Sequence, residues 1–103
     1  MMEELTEFQI TCERKVSEAL SGINRKISDR SIGMITDTFF DHANEKYIHG
    51  KIESTEIELW IYDDGAMFSG PGIDARYEHE DFKSSAELIS AFVTELVAKL
   101  KNE

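Results

Sequence analysis

KYIHGKIESTEIELWIY, residues 46–62, is the stretch whose reading decides the fold. Two alternating runs flank Ser54-Thr55, and alternation of apolar and polar residues is the signature of a half-buried strand. Pairing Glu53 with Glu56 sets a hairpin register. Ile52 then faces Ile57, Gly50 faces Leu59 and Ile48 faces Ile61, all on one side. On the other side Lys51 faces Glu58, His49 faces Trp60 and Tyr47 faces Tyr62. Opposite-charge and aromatic cross-strand pairs each contribute about 0.2–1 kcal/mol. A slip of one residue would turn every isoleucine to solvent, so the pattern specifies this register. Ser-Thr is not a favoured two-residue hairpin turn.

Downstream, Asp63-Asp64-Gly65 reads as a three-residue turn in which Gly65 supplies positive φ for a bulged hairpin. The return strand AMFS then sends Met67 to the core and sets Phe68 beside Trp60. Gly70-Pro71-Gly72 breaks the chain. Residues 73–80 alternate again, with Ile73, Ala75, Tyr77 and His79 on one face and Asp74, Arg76, Glu78 and Glu80 on the other.

Upstream, Leu5, Phe8, Cys12, Val16, Ala19, Leu20, Ile23 and Ile27 recur at steps of three and four, which predicts an amphipathic helix over about 4–27. Gly22 and the pair Ser28-Asp29 are the candidate stops. Ile32, Ile35, Phe39, Phe40 and Ala43 suit a short helix over about 32–44, although Thr36, Thr38, Phe39 and Phe40 are also good strand formers. If that helix forms, Asp37, Asp41 and Glu45 share one repulsive ridge. At the C-terminal end, Leu88, Ile89, Phe92, Val93, Leu96, Val97 and Leu100 predict a helix over about 85–101, with Ser84 and Glu87 as a capping box and Lys99 and Lys101 in the last turn. The expectation is one α+β domain over residues 1–103: a four-stranded antiparallel meander over about 46–80, with helices packed against it.

The 103 residues carry a formal charge of −10, and the charge is concentrated. Residues 53–81 hold 9 acids and 1 base, net −8, while residues 1–52 are net −2 and residues 82–103 are neutral. Such a surface repels phosphate backbones and anionic membranes, so no direct nucleic-acid or membrane partner is expected. A basic protein is its natural complement. No apolar run is long enough to span a bilayer. The opening MMEELTEF lacks the basic start and apolar region of a secretory signal, so a cytoplasmic location is expected.

Motifs for chemistry are sparse. No nucleophile triad, phosphate loop, zinc motif or calcium loop stands out, and the single Cys12 sits on an apolar helical stripe. His79 lies in EHED, but neighbouring strand residues point to opposite faces and do not chelate together. No catalytic residue, metal or cofactor is expected, and the function expected is binding. The candidate partner-binding residues are Tyr47, His49, Glu56, Glu58, Trp60, Tyr62, Asp63, Asp64, Phe68, Asp74, Arg76, Glu78 and Glu80: aromatics ringed by carboxylates, the usual anatomy of a protein-binding hot spot. The competing reading is that a helix covers this face and Trp60 belongs to the core. Four acids on a covered face would be costly, which favours the open one.

The acidic stretch 53–81, with Trp60 and Tyr62, and the overall size resemble small acidic immunity proteins, which neutralise toxin domains in bacterial contact-dependent inhibition and related polymorphic-toxin systems. The resemblance rests on no family motif. It implies tight binding to one cognate toxin, often a basic nuclease, by covering its substrate cleft. Two alternatives use the same surface: a homo-oligomeric structural or accessory domain in which Trp60, Tyr62 and Phe68 form a symmetric interface, and a phage-type nucleic-acid mimic that blocks a DNA-binding enzyme.

Overall fold

The computed structural model of the chain describes residues 5–35 and 45–102. Its elements are α1 (Glu7–Ser21), β1 (Ile27–Ile35), β2 (Glu45–Ile52), β3 (Glu58–Ile61), β4 (Gly65–Gly70), β5 (Ile73–Glu78), a 3-10 turn (His79–Asp81) and α2 (Ser85–Lys101). The strands form one antiparallel sheet in the order β1-β2-β3-β4-β5. The expected α+β architecture is present, with five strands rather than four.

The central register matches the alternation argument. Ile48 pairs with Ile61, His49 with Trp60, Gly50 with Leu59 and Lys51 with Glu58. The Ile52 N–H donates to the Ile57 carbonyl at 2.9 Å. Glu53 and Glu56, expected as a pair, instead belong to a wider loop. Ser54 takes φ 67°, and the Thr55 hydroxyl donates to the Ile52 carbonyl (2.9 Å) while accepting from the Ile57 N–H (3.0 Å). A serine or threonine hydroxyl can stand in for backbone partners in a turn, which is how this pair closes the hairpin without glycine.

Two expectations fail upstream of β2. The first helix stops at Ser21 rather than near residue 27, because the chain reverses through Asn24 at φ 59° and the Arg25 N–H returns to the Leu20 carbonyl at 2.8 Å. Asn tolerates this left-handed conformation better than most residues. Ile23 and Ile27 still pack against the core, from the turn and from β1. Residues 32–35 are strand, not helix, and the rest of the expected 32–44 helix lies outside the described residues. Ile27 pairs with Ile52 and Ile32 with Ile48, so both face the same side although five positions separate them. A regular strand would put them on opposite sides. The irregularity between Ser28 and Ser31, with Asp29 at φ 52°, restores the parity.

The β3–β4 turn is also one residue shorter than expected. Ile61 pairs with Ala66 and the Tyr62 N–H donates to the Gly65 carbonyl (2.8 Å), leaving a two-residue loop. Gly65 does not have positive φ. It is glycine because a Cβ there would strike the Tyr77 carbonyl on the neighbouring strand. The shorter loop shifts β4 by one and exchanges its faces. Phe68 is fully buried opposite Leu59, and Met67 lies opposite Trp60.

Both helices pack on the same side of the sheet and touch each other. The core between the layers comprises Cys12, Val16 and Leu20 from α1, Ile48, Ile52, Leu59, Ile61, Ala66 and Phe68 from the sheet, and Leu88, Ile89, Phe92, Leu96 and Leu100 from α2. Ile57 closes it below the hairpin loop, and Phe68, Tyr77 and Phe92 form an aromatic cluster with ring centroids 5.6–6.5 Å apart. Arg30 fixes the edge strand β1 to α1 through two hydrogen bonds to Glu13, at 2.6 and 3.0 Å. Ser84 caps α2 by accepting from the Glu87 N–H at 3.2 Å.

One buried polar side chain ties the layers together. Gln9 is 1% exposed. Its amide donates to the carbonyls of Lys46 (2.8 Å) and Ile61 (3.2 Å) and accepts from the Thr6 N–H (2.9 Å), so it completes the α1 capping box and anchors the helix start to β2 and β3. Gln9→Ala is expected to cost about 2–4 kcal/mol, because it opens a cavity and strips partners from interior carbonyls. Urea denaturation measures this, and a loss below about 1 kcal/mol would show that those carbonyls do not depend on the amide.

Cys12 is fully buried and not in a disulfide, as its place on the stripe implies. Burial, aided by the neighbouring Glu13 carboxylate, pushes its thiol from 9.0 up to about 12. A raised folded-state value means that the native protein holds this proton more tightly than the unfolded chain does. The corresponding stability is complete below pH 9 and drains away as pH rises towards 12. Thermal melts over that range should therefore show a steeper alkaline decline for the native sequence than for Cys12→Ala, and parallel declines would exclude the thiol as the cause.

Candidate functional site

The helices occupy one face, and among the described residues no helix lies over the other. Register places its side chains in rows that run across the sheet. The middle row is Ser31, His49, Trp60, Met67 and Arg76, one residue from each strand. On one side of it lie Ser28, Lys51, Glu58, Ser69 and Asp74. On the other lie Gly33, Tyr47, Tyr62, Gly65 and Glu78, with Ile35 and Glu45 beyond them.

The aromatic side chains support one another, and no described element covers them. His49 and Trp60 have ring centroids 5.0 Å apart, and Tyr47 and Tyr62 5.5 Å. The Tyr47 ring lies across Gly33, in the space a Cβ would occupy. Trp60, Tyr47, Tyr62, His49 and Met67 are all half-buried, which is what a flat aromatic stripe on an open sheet produces. His49 Nε2 meets Glu58 Oε1 at 2.7 Å, so Glu58 engages the diagonal histidine as well as facing Lys51 across the ladder. The Tyr62 hydroxyl is shifted upward from its ordinary value, first by desolvation and then by Tyr47, Asp64 and Glu45, with Arg76 pulling the other way. It is therefore a neutral hydrogen-bonding phenol at physiological pH.

Of the thirteen residues expected at the site, Tyr47, His49, Glu58, Trp60, Tyr62, Asp74, Arg76 and Glu78 share this face. Glu56 lies in the β2–β3 loop at one end of the sheet, and Asp63 and Asp64 lie in the β3–β4 loop at the other. Glu80 does not belong to the face: β5 ends at Glu78 and Glu80 sits in the 3-10 turn, where the His79 N–H donates to the Asp64 carbonyl and the His79 ring packs on Phe8. Phe68 is in the core, for the turn-length reason above.

The face also holds Met67, Ile35 and Glu45, which the sequence pattern does not place there: a three-residue turn sends Met67 to the other side, the apolar spacing over 32–44 makes Ile35 helical, and Glu45 stands apart in sequence from the other acids of the face. Its carboxylate converges with those of Asp63 and Asp64 to within 4.8 Å, the one grouping of potential metal ligands among the described residues. The same end of the face holds a cleft of about 270 Å³, bounded by Ile35, Glu45, Tyr62, Asp64, Met67, Arg76 and Glu78, with Gly65 as its floor. Comparison with protein-family models, with curated proteins and with solved structures returned no match.

Because Trp60 stands on the open face and Phe68 in the core, their truncations should differ in kind. Phe68→Ala should cost about 3–5 kcal/mol of unfolding free energy, whereas Trp60→Ala should cost no more than about 1–2 kcal/mol and leave a cooperative fold. Chemical denaturation of the two variants checks this, and an unfolded Trp60→Ala protein would place the indole in the core.

Proposed function

We propose that this protein is a non-enzymatic, acidic binding protein that docks its open sheet face onto a basic protein partner, and that the partner is a cognate toxin domain whose active cleft the face covers. The observation that carries the reading is the segregation of the sheet. Both helices pack on one side, and the other side presents Trp60 and Met67 in its middle row with Tyr47 and Tyr62 beside them, and Glu58, Asp74, Glu78 and Glu45 around them. Half-buried aromatics supply contact area with little side-chain entropy to lose on binding, and Trp and Tyr are the residues most enriched in hot spots. Carboxylates around them act differently: they steer a basic partner into register and raise the association rate. If the partner is a nuclease, those carboxylates occupy the places of substrate phosphates and meet the lysines and arginines that would bind them.

Self-association is the second reading. It is favoured by the half-exposed Ile32 (47%) and Met34 (46%) on edge strand β1, whose outer edge pairs with no strand among the described residues. The mass of the purified protein in solution separates the two readings.

The direct experiment is co-purification from the native host with wild-type and Trp60→Ala protein as bait. A basic protein should be retained by the wild type, released by salt, and lost from the variant, with Trp60→Ala or Tyr62→Ala weakening the purified pair by at least ~2 kcal/mol. Association should slow as ionic strength rises. Retention of the same partner by Trp60→Ala at undiminished affinity would exclude this face as the docking surface.

A further inference from the structure

The cleft at the end of the outer face has a specific origin. In the row Tyr47–Tyr62–Gly65–Glu78, the side chain that would fill the gap between Tyr62 and Glu78 is missing, because the Tyr77 carbonyl approaches Gly65 too closely for any Cβ. The floor of the hollow is therefore set by the backbone. At about 270 Å³ it falls below the roughly 300 Å³ at which small-molecule pockets begin, and it is suited to one inserted side chain.

Its walls describe the occupant. Tyr62 and Met67 offer an aromatic face and a flexible thioether, and Ile35 adds aliphatic surface. Asp64 and Glu78 bring two carboxylates against the single guanidinium of Arg76. Neither Asp64 nor Glu78 forms an ion pair with Arg76 or any other base among the described residues. An anion would meet an excess of negative charge. A cation with an apolar stem would find carboxylates for its head and Tyr62, Met67 and Ile35 for its stem. A planar guanidinium suits the Tyr62 ring and the spread of carboxylates better than a compact ammonium does. We infer that the cleft over Gly65 is the seat for one arginine side chain of the basic partner, an anchor that sets the partner's register on the aromatic face. This rests on the partner-binding reading and names the group that the cleft would take.

The inference can be tested without the partner. N-acetyl-arginine methylamide is titrated into isotope-labelled protein and followed by amide chemical shifts, alongside the matching lysine and citrulline compounds and calcium chloride. The expected result is a saturable arginine response centred on Tyr62, Gly65, Met67 and Glu78, a weaker lysine response, and none from citrulline. Glu78→Gln and Asp64→Asn should each weaken the arginine response about 3- to 10-fold, while Glu18→Gln, on α1 and away from the sheet's outer face, leaves it unchanged. Equal arginine and lysine responses spread over Glu56 and Glu80 as well would overturn the inference. So would shifts at Glu45, Asp63 and Asp64 with calcium but none with arginine. These outcomes leave the docking face untouched, because that reading stands or falls on whether Trp60→Ala loses the partner. Conversely, a partner retained by Trp60→Ala removes the docking face whatever the arginine probe does.

Discussion

The register between β2 and β3 is the constraint on which the rest depends. It directs Ile48, Ile52, Leu59 and Ile61 to one side, where two helices can cover them, and His49, Trp60, Tyr47 and Tyr62 to the other. Nothing else in the chain could divide so clearly. A shift of one residue would expose four large aliphatic side chains, each worth about 1.5–3 kcal/mol when buried, and would bury the acids and aromatics in their place. The two faces are consequences of a single pairing choice: one is dry because the other is polar.

How far this was legible from the residues depended on whether parity was preserved. In the β2–β3 hairpin it was, since alternation runs unbroken on both sides of the loop and predicts four observed pairs. In β1 it was not. Ile27 and Ile32 share a face only because an irregularity near Asp29 absorbs one residue, and their odd spacing hid the strand behind a helical-looking stripe. The same physics misplaced Met67 and Phe68. Asp-Asp-Gly admits two loop lengths, and the deciding fact, the Tyr77 carbonyl pressed against Gly65, involves a strand that comes later in the chain. Gln9 was invisible for a related reason: its partners, Lys46 and Ile61, are far away in sequence. The surface was therefore predictable in its middle and not at its ends, and the cleft lies at one of those ends.

The two kinds of surface residue also divide the work. The aromatic stripe is braced by neighbours on its own face, Tyr47 by Gly33 and Tyr62, Trp60 by His49. Its geometry is then in place before any partner arrives, which reduces the ordering cost of association. The carboxylates need no such bracing, since their effect on an approaching basic surface acts over a distance comparable to the Debye length. On the proposed reading, a face braced where contact would be made and charged where approach would be guided suits recognition of a basic protein.

Gln9 carries a further consequence, for assembly. Every strand pairs with its neighbour in sequence, so the sheet is assembled from contacts that are near in the chain and needs little chain entropy to form. The helix α1 is different: its amide anchor reaches carbonyls 37 and 52 residues away. Seating it is the long-range step, and that step closes the hydrophobic layer. The face that meets the outside world is thus built from the most local contacts in the molecule, and its hidden side is sealed by the least local one.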